Sequence, residues 1–184
     1  NMFWTKDEKN TFVLEVQHLY QDEDPFYNPS LLEDPFPGIG FQSGQSRYDI
    51  RQERFVKTNK VDAKADYYYT INNKSILNIT LGNTNSYQGY NSSIFQLLDN
   101  GSLYQLPDNG DLIFDNDVKY SFNDAYLGMH YKFIIGKNFT FNPGVNFHQF
   151  NIYNDQLNSR VRDDFFRVLP DVFAQWDIKK SESL

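Results

Sequence analysis

A chain of 184 residues is long enough for one domain with a real core, yet its mean hydropathy is −0.64 and no apolar run nears the ~18–20 residues of a membrane-crossing helix. A net charge of −7 and a pI near 4.9 argue against a nucleic-acid binder. With no cysteine there is no disulfide framework and no thiolate metal site.

Aromatic residues make up 17% of the chain, nearly all Phe and Tyr, which favours strands. The opening Asn1-Met2-Phe3-Trp4 has neither a charged leader nor a small-residue cleavage site, so any export signal is expected upstream or already removed. It reads as the end of a strand, followed by a charged turn at 6–10. Phe12, Leu14, Val16, His18 and Tyr20 then alternate with Val13, Glu15, Gln17, Leu19 and Gln21, as on a strand with two unlike faces. From Asp22 to about Gln45 the alternation gives way to a loop rich in Pro, Gly and acids, and the charged stretch 47–60 reads as an extended strand reaching into solvent.

At Asp62 the pattern resumes. Ala63, Ala65, Tyr67, Tyr69 and Ile71 oppose Lys64, Asp66, Tyr68 and Thr70; Asn72-Asn73-Lys74 supplies a turn; Leu77, Ile79 and Leu81 continue the apolar face. Residues 83–117 read as a long polar loop, with a small hairpin expected at Asn100-Gly101 or Asn109-Gly110. The clearest hairpin follows. Ala125, Leu127, Met129, Tyr131, Phe133 and Ile135 face away from Asp124, Tyr126, Gly128, His130 and Lys132. After the turn at 135–138, Phe139, Phe141, Pro143, Val145 and Phe147 face away from Thr140, Asn142, Gly144, Asn146 and His148. A shorter loop is expected at about 154–163. The last strand places Phe166, Val168, Pro170, Val172, Ala174, Trp176 and Ile178 opposite Arg167, Asp171, Phe173, Gln175 and Asp177, before a turn at 179–182. The expected antiparallel pairings are 62–72 with 75–83 and 125–135 with 138–148. Pro143 and Pro170 sit inside two of these strands, where a missing amide donor calls for a bulge.

Short turns at 6–10, 72–74, 135–138 and 179–182 alternate with long loops at about 22–60, 83–117 and 154–163. Such segregation fits an all-β antiparallel meander, a partial transmembrane β-barrel with short periplasmic turns, long extracellular loops and strands that are apolar outside and polar inside. Tyr69, Tyr131, Phe133, Phe139 and Trp176 gather near the short-turn end, where an interfacial aromatic girdle belongs.

The strand–turn–strand units Val61-Asp62 to Tyr69 with Asn73-Lys74-Ser75, Tyr126-Leu127-Gly128 to Phe133 with Gly136-Lys137-Asn138-Phe139, Phe141-Asn142-Pro143-Gly144, and Leu169-Pro170-Asp171 with Lys179-Lys180-Ser181 resemble outer-membrane barrel segments of TonB-dependent receptor-like proteins of Bacteroidetes. The resemblance covers roughly residues 10 to 184. It implies a bacterial outer-membrane receptor that imports a scarce nutrient with energy delivered through TonB. Such receptors have about 22 strands and a plug; six or seven strands and no plug or TonB box are read here. Residues 1–184 are therefore expected to be one segment of a larger barrel, with Trp4 and Ile178 marking strands that pair beyond it. The expected partners are outer-membrane lipid, the rest of the barrel and its plug, TonB through that plug, and an unidentified nutrient.

No catalytic, metal or cofactor site is expected. His18, His130 and His148 lie on separate strands, with His130 opposite about Pro143. The acids Asp22, Glu23, Asp24, Glu33 and Asp34 lack the spacing of a calcium loop. Gly38-Ile39-Gly40 leads into no helix or phosphate-loop lysine. Asn78-Ile79-Thr80 and Asn138-Phe139-Thr140 match a glycosylation pattern inside expected wall strands. Asp171 and Asp177 share a face with Arg167, which invites a glycosidase-like pair, but charge lining a wet lumen explains them better. The lumen-facing residues are expected to be Lys64, Asp66, Asp124, Lys132, Arg167 and Asp171. Ligand contact is expected from loop aromatics: Phe26, Tyr27, Phe36, Tyr87, Tyr90, Phe95 and Tyr104. The alternative is a soluble all-β binding or adhesion module whose apolar faces meet in a sandwich core.

Overall fold

The computed structural model describes residues 1–35, 37–106, 116–156, 159–179 and 182–183. They form one 11-stranded sheet. The strands are β1 (Met2–Thr5), β2 (Asn10–Glu23), β3 (Phe26–Tyr27), β4 (Ser30–Leu31), β5 (Tyr48–Asn72), β6 (Ser75–Leu97), β7 (Leu103–Gln105), β8 (Asn116–Ile135), β9 (Phe139–Gln156), β10 (Ser159–Lys179) and β11 (Glu182–Ser183). The wall runs β1-β2-β5-β6-β8-β9-β10-β11, every neighbour antiparallel and the path open at both ends, with β3 and β4 added on β5 and β7 on β6. No helix is present among the described residues.

Both expected hairpins form. Asp62 pairs with Thr84 and Asn72 with Ser75; Ala125 pairs with Gln149 and Ile135 with Phe139. The second turn depends on Gly136, whose φ of 66° lies in the left-handed region. The first closes with Lys74 N–H donating to Asn72 Oδ1 at 2.8 Å.

Because paired residues share a face, the register can be read as rows across the wall. Leu14, Ala65, Leu81, Leu127, Phe147 and Val168 make one row, and Phe12, Tyr67, Ile79, Met129, Val145 and Pro170 make the next toward the short turns. Both rows are wholly apolar apart from the Tyr67 hydroxyl, and they are open to the surroundings: Leu81 is 63% exposed. Toward the other end the character changes within two rows. Val16, Ala63, Asn83, Ala125, Gln149 and Phe166 are mixed; His18, Val61, Asn85, Asn123, Asn151 and Asp164 are mostly polar. On β8 the apolar stretch runs from Leu127 to Ile135, close to the ~9–11 residues of a membrane-crossing strand.

Two loops of the sequence reading are strand instead. Within 83–117, β6 continues to Leu97 and β8 begins at Asn116; the expected small hairpin is the β6–β7 pair around Asn100-Gly101. Asn109-Gly110 lies outside the described residues. Residues 154–163 are no long loop either: Gln156 pairs with Ser159, and ladder pairing continues from Arg160 with Asp155 downward. Here the Tyr153 hydroxyl donates to Asp155 Oδ2 at 2.9 Å and Arg160 Nη2 lies at 3.1 Å. The Tyr153 hydrogen bond, and then the Arg160 charge, hold the Asp155 carboxyl below the usual carboxylate range.

The prolines need no bulge. The β9–β10 ladder is unbroken through both, from Ser159↔Gln156 to Trp176↔Phe139. Across β8–β9 the ladder passes from His130↔Gly144 straight to Phe133↔Phe141, so the interruption falls where Pro143 has no N–H to give. Pro170 pairs with Val145 with no shift in register.

Candidate functional site

Opposite the apolar face, the register brings all six residues expected to line a lumen onto one surface. Glu15, Lys64, Gly82, Tyr126, His148 and Arg167 form a row, flanked by the rows of Asp124 and Asp66, with Asp171 one row beyond Asp66. Lys64 bridges Glu15 at 3.3 Å and Asp66 at 3.2 Å, and buried Asp66 also accepts from the Thr80 hydroxyl at 2.5 Å. His148 Nδ1 stands 2.9 Å from Asp124 Oδ1, its ring stacked between Tyr126 and Phe150. Asp171 takes His130 Nε2 at 3.0 Å and Asn146 Nδ2 at 2.7 Å. Arg167 places its guanidinium 4.7 Å from the centre of the Phe165 ring. Lys132 is exposed.

These contacts cross-link β2 to β5, β5 to β6, and β8 to β9 and β10. The sequence named one member of each pair, but Glu15, His130 and His148 emerge as partners only once the register is known. The glycines of this face leave room for its rings. A Cβ on Gly82 would lie 2.6 Å from Tyr126 Cε1, with other ring atoms closer still, and one on Gly144 would collide with the His130 ring. The large rings lie flat across bare backbone on the neighbouring strand. The glycosidase-like pair does not form: Asp171 and Asp177 are six residues apart on one strand, about 20 Å, well beyond the ~5–9.5 Å such pairs need.

The long-loop end carries a compact cap. The segment between β3 and β5 folds over the inner face of β5 and β6. Fully buried Gln96 fastens it: Gln42 N–H donates to Gln96 Oε1 at 2.7 Å, and Gln96 Nε2 donates to the Gln42 carbonyl at 3.0 Å. Ser46 donates to both Asp99 carboxylate oxygens at 2.8 Å, and Asp99 N–H donates to Gln45 Oε1 at 2.7 Å. Beneath the segment is an apolar pocket of about 360 Å³, lined by Tyr27, Leu31, Ile39, Ile50, Ile94 and Leu106 among others. Ile50 and Leu106 are the buried hydrophobic residues among those described, and both line this pocket. We expect Gln96→Ala to leave both Gln42 backbone groups without their partners, at a local cost of about 1–3 kcal/mol. Limited trypsin digestion should then cut after Arg47 on the order of ten times faster, while the wall resists as before.

The aromatic candidates do not converge. Tyr27 pairs with Gln52, Tyr90 with Val56 and Tyr104 with Gln96, all on the inner face; Phe26 pairs with Glu53, Tyr87 with Asn59 and Phe95 with Arg51, all on the outer face. Tyr87, Tyr90 and Phe95 belong to strand β6, not to a loop, because the ladder continues far past the apolar band. Phe36 lies outside the described residues. Only Tyr27 reaches the apolar pocket, whereas Phe26 lines a separate polar hollow with Asp24, Arg51 and Arg54. The sequence signal for the pocket was faint: single apolar residues scattered through polar stretches, each ordinary by itself.

This open wall with one amphipathic band is similar to a solved structure, the ferric citrate transporter FecA in the unliganded form, with a TM-score of 0.57 and 13% identity. The likeness shows the fold. It covers 98% of this chain and 24% of the transporter, so the chain spans about a quarter of that protein's length. No protein-family profile and no curated protein sequence matches the chain.

Proposed function

We propose that the chain is part of the wall of an outer-membrane receptor barrel of the TonB-dependent kind, with nutrient contact at the capped, extracellular end. The observation that carries this reading is the two-row change on the outer face, from continuous apolar residues near the short turns to polar residues above. A bilayer explains both halves: lipid meets the lower rows, water the upper ones. A soluble module would lay a second sheet over the apolar face, and the described residues place every strand in one sheet. The likeness to a transporter's fold supports the reading, and the strand–turn idioms support a Bacteroidetes-type receptor within it.

On this reading the polar inner face, with Lys64, Asp66, Asp124, Lys132, Arg167 and Asp171, meets water, a plug or passing solute, and TonB acts through that plug. The contacts of His130 and His148 with aspartates act as struts of the wall. Fractionation of the whole parent protein tests the proposal. It should partition with outer membranes and show a gel migration that shifts on boiling, as closed barrels do. A freely soluble parent protein with no heat-dependent shift would sink it in favour of the soluble module.

A further inference from the structure

We propose that the pocket under the cap binds an uncharged ring or short alkyl group of the transported ligand. This deepens the receptor reading and rests on it. At about 360 Å³ the pocket falls within the size range of small-molecule sites, which are mainly apolar with a few placed polar groups. Its walls come from both partners of the closure: Ile39 and Phe41 from the segment above, Leu31, Ile50 and Ile94 from the strands below, Leu106 from beyond the β6–β7 hairpin.

No charged side chain lines it among the described residues. A carboxylate or ammonium entering would lose its water and find no counter-charge among the lining residues. The pocket therefore selects against charge, although acids and bases are common elsewhere on this end. Gln52 and the Tyr27 hydroxyl are its polar groups. Gln52 Nε2 donates to the Ser92 hydroxyl at 3.2 Å, and the same amide carries an acceptor oxygen, for which a hydroxyl or amide N–H on the ligand is the matching group. The cavity is also held open. Gln96, with no exposed surface, fixes the segment by two hydrogen bonds, and Phe41 meets Tyr48 edge-on at its side. A preformed apolar space avoids the ordering cost that a loose loop would incur on binding.

The test uses the whole parent protein in lipid nanodiscs, with two probes that share a ring: 1-naphthol and 1-naphthalenesulfonate. Fluorescence titration, corrected with empty nanodiscs, should show saturable naphthol binding and sulfonate binding at least about tenfold weaker. Ile94→Trp, which fills the pocket, should weaken naphthol about tenfold or more, and Ser93→Trp, on the outer face one residue away, should leave it within about twofold. Ile39→Trp repeats the filling from the loop side, and the heat-dependent gel shift confirms that each variant is folded.

Absent naphthol saturation, equal binding of the sulfonate, or unchanged binding in both filled variants overturns the pocket. If this happens in a protein that still fractionates with outer membranes, the receptor reading stands and the pocket alone falls. Naphthol binding with the expected variant pattern in a soluble parent protein supports the pocket and overturns the receptor reading.

Discussion

Val145→Arg is expected to lower the stability of the intact barrel by about 2–4 kcal/mol, measured as urea-induced unfolding in lipid vesicles. Val145 stands in the row of Phe12, Tyr67, Ile79, Met129 and Pro170, which is apolar across six strands, so no neighbour can share the guanidinium charge. Asn146→Arg provides the contrast. One residue along, the side chain turns to the inner face, where Asn146 already bonds Asp171 at 2.7 Å and a cation would find that carboxylate waiting. The expected cost there is under about 1 kcal/mol, as for a solvated ion pair. A large loss at Asn146 with little at Val145 would reverse the two faces.

Gly82→Leu is expected to cost about 1–3 kcal/mol by overpacking, although Gly82 touches no ligand and sits in a regular strand. The Tyr126 ring occupies the space that any Cβ there needs, and Tyr126 itself is stacked on His148 at 5.2 Å. The ring cannot move without disturbing the Asp124–His148 contact. Combining Gly82→Leu with Tyr126→Ala should therefore be far less damaging than the sum of the two changes. A double-mutant cycle in urea, with coupling of at least about 1 kcal/mol, is the expected result. Additive effects would show that Tyr126 does not lie across Gly82.

What could be read from the sequence followed amphipathy. Leu127-Met129-Phe133 against Asp124-His130-Lys132 revealed strand, face and partner, since a one-residue slip would move every apolar side chain to water. The pairings around 72–75 and 135–139 are correct to the residue or nearly so; His130 faces Gly144 where Pro143 was expected. Where both faces are wet the signal vanishes. Asn83-Thr84-Asn85-Ser86 reads as loop because nothing alternates, yet it pairs in full with Ala63 to Lys60 and with Ala125 to Phe122. The same holds for 154–163, which reads as a loop although Asn154 to Gln156 pair with Ser159 to Val161. The cap was illegible for another reason. Leu31, Ile50, Ile94 and Leu106 are far apart in the chain, and only chain closure through Gln42–Gln96 brings them to one place. Turn chemistry and alternation are local properties; an assembled pocket is not.

The polar upper wall is a face assembled across the strands. Tyr20, Asn59, Tyr87, Ser121, Tyr153 and Arg162 stand side by side in one row, each contributed by a different strand. An antibody that binds there grips a discontinuous epitope: alternate residues of six strands, and never two neighbours in sequence. A linear peptide copied from 83–97 would display both sides of the strand at once, half of it surface that the folded wall turns inward. Immune serum raised on such peptides would recognise denatured chain and pass over the native protein.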